Sequence, residues 1–435
     1  MGRTADPRYT AVKLLCRTLG SGGYSNLQLS AGLDSSGLAG KDRRLCSALY
    51  YGVIERCITL DHIISGLSSR PISKLDDEII NILRSGLYQL LYMDSIPDSA
   101  AVSESVRLSG SFGKKSAGGF VNALLRSFIR SGKQITMPEG EIPAMSVRYS
   151  VPEETAVELC REYGSEGTAR FLELSLLPPV TYLRLNPLRC GGIDELSAAM
   201  EGIRLSHVSG SCCAAEGGDV TATEAFSKGF FHVQDISSQL CCEVLAPAEG
   251  DTVLDICAAP GGKTFTMAEL MGGKGKICAF DLHEKRVGLI RSGAERLGLE
   301  NIIARAGDAS VFDPEMPRFT RILCDAPCSG LGVIRRKPEI KYKPLSELGR
   351  LPEIQLKIAE NALRYLAPGG VLVYSTCTVL RDENDGVIER LLKDHPELEL
   401  LPVREGTAPG TLTLLPGRDG WQGDGFFIAK LCRKY

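Results

Sequence analysis

The chain has 435 residues, 43% of them hydrophobic, 24% charged and 6% aromatic, a globular balance far from collagen or disorder and enough length for about two to four domains rather than a peptide ligand or one small module. No apolar run approaches the roughly 18–20 residues of a membrane span, and the opening MGRTADPRYTAVKLLCRTLG lacks the apolar core of a secretory signal, so neither membrane insertion nor export is expected and the chain reads as cytoplasmic. The formal charge of −3 hides an asymmetry: residues 1–133 carry 17 Lys and Arg against 11 Asp and Glu, a basic front that suits a phosphate backbone.

Within that front, apolar residues recur at helical spacing from Asp42 to about Ser65 (Leu45, Leu49, Val53, Cys57, Leu60, Ile64), and again in DDEIINILRSGLYQLLYM at Ile79, Leu83, Leu87 and Leu91. Each run predicts one amphipathic helix. Further helical stretches from Ser99 to about Arg130 are interrupted by SGSFGKKSAGG, and no strand-like alternation precedes residue 134, so residues 1–135 read as an all-α bundle. The run SGKQITMPEGEIPAM marks a linker. A helix from about Pro152 to Leu176, a turn at Pro178 and Pro179, the strand-like VTYLRLN and a helical piece near Asp194 to Met200 make residues 140–240 a small mixed α/β segment.

The third segment, residues 241–435, alternates short β-rich runs with helices: DTVLDICA, KICAFDL, IIARAGDA, RILCDAP and VLVYSTC. Such alternation predicts a mostly parallel sheet covered by helices, with ligands bound outside the carboxyl ends of its strands. A late pair, TLTLLPG and FFIAKLCR, is expected to close the sheet as a hairpin. The fifteen cysteines are scattered and odd in number, which suggests a reducing compartment. No C-x-x-C occurs, and the five histidines do not lie at zinc-ligand spacing from cysteines, so no metal is expected.

The stretch Val253 to Thr264, VLDICAAPGGKT, reads as a buried strand running into a glycine turn and a helix. Glycines there let backbone amides approach a ligand, and the helix start adds partial positive charge. Gly262-Lys263-Thr264 imitates the end of a phosphate loop, but Cys257 stands where that motif has its first Gly, and G-x-G-x-x-G is absent. ATP and nicotinamide cofactors are therefore disfavoured. Asp255, Asp281, Asp308 and Asp325 end four successive strands. Four such carboxylates suit a cofactor with a free ribose, an exocyclic amine and a positive charge, which describes S-adenosylmethionine.

Two further strand ends carry thiols, in Asp325-Ala326-Pro327-Cys328 and in Ser375-Thr376-Cys377-Thr378. Carbon 5 of cytosine is too poor a nucleophile to take a methyl group, but addition of a thiolate at carbon 6 turns it into an enamine carbon that can. A carboxyl at N3, for which Asp325 is placed, would stabilise the charge that moves there. A second thiol would assist the elimination that follows. Spacing alone leaves open which cysteine attacks. Methylation of an exocyclic amine commonly uses an aromatic residue where Cys328 stands, which argues against that chemistry.

Taken together, LDICAAPGGKT, DAPCSGLGVIRRKPEIK, YSTCT, GFFHVQDISSQL and DGFFIAKL resemble the motifs of the bacterial small-subunit ribosomal RNA cytosine-5 methyltransferases of the Sun/Fmu type. The front resembles the NusB-type RNA-binding helical domain through DRRLCSALYYGVIER and IPDSAAVSESVRLSGSFGKKSAGGFVNALLR, and the middle is similar to an RNA-recognition-like insert. The resemblance implies a Rossmann-like catalytic domain with a mostly parallel seven-stranded sheet, transferring methyl from S-adenosyl-L-methionine to a specific cytosine of 16S ribosomal RNA.

By the same resemblance Cys377, of the Thr-Cys pair, is the nucleophile, Cys328 assists product release, and Asp325 is the third catalytic residue. The cofactor contacts carry over onto Cys257, Ala258, Ala259, Pro260, Gly261, Gly262, Lys263, Asp281, Asp308 and Asp325. Arg335, Arg336, Lys337, Lys341 and Lys343 follow the Cys328 segment and are expected to hold RNA phosphates. The target base must be unstacked, so a loop or single-stranded cytosine is expected; the enzyme is expected to be a monomer. The alternatives are another RNA substrate, a DNA cytosine-5 methyltransferase attacking through Cys328, and a non-catalytic RNA-binding or antitermination factor. The Thr-Cys pair disfavours the second, and the intact cofactor loop and cysteines disfavour the third.

Overall fold

The computed structural model describes residues 6–21 and 25–434, and the chain divides into two units, Met1–Leu176 with Arg336–Leu345, and Leu177–Arg335 with Ser346–Tyr435. In the first unit Pro7 opens the helix Pro7–Ser21, and the Asp6 carboxylate accepts from the N–H groups of Arg8 (2.9 Å) and Tyr9 (3.2 Å). This satisfies amides that a helix start leaves unpaired. Eight more helices follow: Ser25–Ser36, Gly40–Glu55, Cys57–Leu67, Asp77–Tyr92, Asp98–Ser111, Gly118–Arg130, Glu141–Tyr149 and Glu153–Ser175. The apolar faces of the first seven, from Pro7–Ser21 to Gly118–Arg130, meet in one core containing Leu15, Leu49, Val53, Leu60, Leu87 and Phe128, each contributing about 1.5–3 kcal/mol by leaving water.

The run from Asp42 to Ser65 is two helices, not one, because the chain leaves helical geometry at Arg56 (φ −110°, ψ 17°). The apolar period continues across the break, so both helices still present one face to the same core.

Ten residues from far along the chain complete this unit. Glu339 accepts from Ser25 N–H (3.1 Å) and Ser25 Oγ (2.7 Å) at the start of Ser25–Ser36. Lys341 Nζ donates to the carbonyls of Glu55 (2.8 Å) and Tyr149 (3.5 Å), the last residues of two helices. An anion thus sits at a helix start and a cation at two helix ends, as the helix dipoles favour. Tyr342 Oη donates to Ile54 O at 2.6 Å and lies 3.0 Å from Ser150 Oγ. Burial lowers the Lys341 ammonium to about 7.

The second unit holds two sheets. The smaller contains β1 (Thr181–Leu185), β2 (Arg204–Ser209), β3 (Cys212–Glu216) and β4 (Phe231–Val233) in the order β2-β3-β1-β4. The larger contains β5 (Thr252–Asp255), β6 (Lys276–Asp281), β7 (Ile302–Ala306), β8 (Phe319–Asp325), β9 (Leu366–Thr376), β10 (Leu398–Leu400), β11 (Thr411–Leu414) and β12 (Phe426–Arg433). Its order is β10-β12-β9-β8-β5-β6-β7, with β11 paired to β12. Strands β5 to β9 pair in parallel, and β10, β11 and β12 are antiparallel. The sheet therefore has eight strands where seven were expected, the short β10 being the one without a sequence signal. Successive strands run outward from β5 toward β7 and then from β8 toward β9, so the chain reverses direction across the sheet between β5 and β8. The crevice outside that reversal is where such folds bind ligands.

Candidate active site

The turn after β5 is built for close approach. Ala258 N–H donates to Phe280 O (2.6 Å) and Gly261 N–H to Ala258 O (2.9 Å), which folds residues 257–261 back across the strand ends. Gly261 has φ +113°, and a Cβ there would lie 2.4 Å from the Phe265 ring, so any side chain would force the turn open. The helix Gly262–Leu270 starts directly behind it, presenting its free amides to the crevice. Asp255 differs from the other three strand-end acids. It is 1% exposed and accepts from Thr264 Oγ1 at 2.7 Å, so it braces the turn from beneath instead of facing a ligand. Burial raises its carboxyl to about 7.

Asp281 ends β6 with its carboxylate taking the His283 N–H (3.2 Å) and an ion pair with Arg286 Nη1 (3.1 Å). Arg286 also donates to Ala259 O at 2.7 Å, tying this acid to the turn. Asp308 is exposed beyond β7 and accepts from Ser310 N–H (2.9 Å) and Oγ (2.8 Å). Those hydrogen bonds, the backbone one first, hold its carboxyl below the usual range. A cavity of about 290 Å³ opens beside it, walled by Ile256, Phe280, Val311 and Phe312. Its apolar walls, acidic rim and adjoining backbone amides fit S-adenosylmethionine, whose flat base, ribose and charged tail need those three environments.

Parallel pairing of β8 with β9 sets Asp325 directly across from Ser375. Cys328 lies three residues past the first and Cys377 two past the second, so the two loops emerge side by side. Their Sγ atoms are 3.3 Å apart. Contact with Cys377, reinforced by burial, pushes the Cys328 thiol well above its ordinary value. Asp325 Oδ1 accepts from Ser375 Oγ (2.9 Å) and Oδ2 from Lys263 Nζ (2.8 Å). Burial alone would lower the Lys263 ammonium, but Asp325 outweighs it and holds the group above its usual value. Lys263, expected among the cofactor contacts, is thus placed on Asp325, with its Nζ 5.2 Å from the Phe426 ring centre.

The structure brings together Cys328, Cys377, Asp325 and Lys263, and gathers the 257–262 turn, Asp281 and Asp308 along the neighbouring strand ends. The basic run behaves differently. Lys341 is 1% exposed and belongs to the core of the helical unit, so it is withdrawn as a phosphate contact. Arg335 donates to the carbonyls of Leu177 (3.0 Å) and Pro178, whereas Lys337 and Lys343 are exposed. Sequence reading missed Arg286, Gln355, Glu383 and Asn384. Glu383 and Asn384 sit six and seven residues after Cys377, and only their nearness in sequence to that cysteine pointed to them.

Strand order, glycine turn and strand-end acids define a Rossmann-like methyltransferase dependent on S-adenosylmethionine. A family model described as 16S rRNA methyltransferase RsmB/F matches residues 242–432, and one described as the NusB family matches residues 5–130. The probable ribosomal RNA small subunit methyltransferase B of Bacillus subtilis (strain 168) is 38% identical over 98% of this chain and 98% of its own. That of Synechocystis sp. is 34% identical over 94% and 95%. The crystal structure of PH0851 has the same fold, with a TM-score of 0.83 at 24% identity over 98% of this chain and 99% of that one. A methyltransferase homolog protein from Pyrococcus horikoshii matches with a TM-score of 0.60 at 29% identity over 68% and 100%. The chain belongs to the RsmB/F methyltransferase family, with a NusB-type helical front.

Proposed function

We propose that this protein methylates carbon 5 of a cytosine in 16S ribosomal RNA in the cytoplasm, through a covalent bond between Cys377 and carbon 6 of the base. The observation that carries this reading is the pair of thiols in contact at 3.3 Å beside a carboxylate held by a lysine. In this reading the helical front (residues 1–135) and the small α/β segment (140–240) present RNA to the catalytic domain (241–435).

S-adenosylmethionine supplies an electrophilic methyl group on its sulfonium. The free backbone amides of the 257–262 turn would hold its charged end, Asp281 would take the ribose hydroxyls, and Asp308 with the apolar cavity would hold the adenine. Cys377, as thiolate, forms a bond to carbon 6, and the electron pair of the ring double bond moves toward N3. The Lys263–Asp325 ion pair, whose exchangeable proton sits on the ammonium, supplies that proton toward N3 as charge builds and takes it back when the ring double bond is restored. Carbon 5 is then nucleophilic and takes the methyl. The carbon 5 proton leaves to solvent water, and the Cys328 thiol, 3.3 Å from the Cys377 sulfur, donates its S–H toward that sulfur as it departs. The bond between carbon 6 and sulfur breaks with its electron pair returning to Cys377. The base must leave its stack to enter, so the target is a loop or single-stranded cytosine.

The test replaces each cysteine by Ala and follows labelled methyl transfer to unmodified small-subunit RNA. Cys377→Ala should lose activity by on the order of a thousandfold or more and form no adduct with RNA carrying 5-fluorocytosine. Cys328→Ala should accumulate a stable protein–RNA adduct. Full turnover by Cys377→Ala, or methylation of duplex DNA but not RNA, would overturn the reading.

A further inference from the structure

Each of the two cysteines is held through its chain neighbours chiefly by a buried residue of its own, and the two loops are joined where Ser329 Oγ lies 2.6 Å from Thr378 Oγ1. On the Cys328 side, Gln355 Nε2 donates to Pro327 O (2.9 Å) and the Glu383 carboxylate accepts from Ser329 N–H (2.9 Å). Gln355 Nε2 also donates to Glu383 Oε2 (2.8 Å), which joins the two braces. On the Cys377 side, Thr376 Oγ1 donates to Asn384 Oδ1 (2.6 Å) and Asn384 Nδ2 donates to Thr378 O (3.2 Å). Gln355, Glu383 and Asn384 are all nine-tenths or more buried. Tyr374 Oη donates to Glu383 O at 2.7 Å, which anchors the pair to β9 itself.

The Glu383 carboxylate is surrounded by neutral donors, Ser329 N–H and the Gln355 amide, and burial pushes it above its ordinary value. Burying a carboxylate without a cation is costly, and simple packing would be met by an apolar side chain. What the carboxylate provides here is one oxygen that takes two hydrogen bonds and so fixes the residues before and after Cys328 at once. Displacement of a reacting group by about 1 Å costs on the order of a hundredfold in rate, so bracing of this kind has kinetic weight.

We propose, resting on the reaction read above, that Glu383 and Asn384 are positioning residues for different steps. Glu383, with Gln355, sets Cys328 for the elimination. Asn384 sets Cys377 for the addition. Two adjacent residues should therefore carry opposite kinetic signatures.

The experiment uses the full chain with labelled methyl donor. It measures turnover and detergent-stable adduct on small-subunit RNA, and the rate of adduct formation on the same RNA carrying 5-fluorocytosine. Glu383→Ala should raise the adduct on ordinary RNA about tenfold over wild type while turnover falls between about tenfold and a hundredfold. E383Q keeps an acceptor oxygen and should return turnover to within about threefold of wild type. Asn384→Ala should slow adduct formation about tenfold and accumulate none on ordinary RNA.

Parallel loss of adduct and turnover in folded Glu383→Ala, no change in either, or accumulation by Asn384→Ala overturns the proposal. If Glu383→Ala does not fold by circular dichroism, Gln355→Leu decides, since it frees Pro327 O from the same brace; without accumulation the proposal is wrong. Cys328→Ala runs alongside. If that control accumulates adduct and Glu383→Ala does not, this inference fails alone; if the control also forms none, the reaction reading fails with it.

Discussion

The position of Asp255 is costly to the folded protein. Its carboxyl is buried beneath the cofactor turn, bonded to Thr264, and raised to about 7 from an unfolded value near 3.8. Folding therefore takes up a proton between those values. The group's contribution to stability is complete below about pH 4 and is lost as pH rises through 7. Asp255→Asn should flatten the fall in stability between pH 4 and 7, as measured by urea unfolding at several pH values. An unchanged slope would mean the carboxyl is not buried as described. Asp325 is the contrasting acid, partly open and paired with Lys263. Asp325→Asn should lower kcat by on the order of a hundredfold or more, with a smaller change in KM, because the Asp325–Lys263 pair handles the proton that N3 needs as charge develops on the base.

The strand elements of the catalytic fold were legible because parallel strands buried on both faces read as short apolar runs, and each ends in a residue of distinct chemistry: Asp255, Asp281, Asp325 and the Thr376-Cys377 pair. The hairpin of β2 and β3 was not, since β2 is exposed along nearly its whole length and carries no apolar alternation. Nor was the break at Arg56, which has neither Gly nor Pro to mark it. The segment 336–345 was misread for a clearer reason. RRKPEIKYK has the composition of a solvated basic face, yet Ile340 and Lys341 are buried and its charges meet helix ends. Tyr342→Phe should destabilise the helical unit by about 1–3 kcal/mol, because the Ile54 carbonyl and Ser150 hydroxyl lose a buried partner. A shift in the urea midpoint measures it, and no shift would mean that water replaces the phenol.

At the level of the whole chain, the helical unit is discontinuous: its last ten residues are supplied from beyond Cys328. A fragment of residues 1–176 should accordingly melt several degrees below the same unit in the intact protein, and recover when a peptide of residues 336–345 is added. Equal melting of the fragment with and without peptide would remove the segment's structural role. No reading of hydrophobic period reaches this, because the pairing spans hundreds of positions and is made by single polar groups such as Glu339 on Ser25. The front and the catalytic half cannot be exchanged between relatives as separate cassettes. A chimera that takes its first 176 residues from another source must also import the matching decapeptide into the middle of the transferase. Substitutions on either side of that graft are expected to be inherited together.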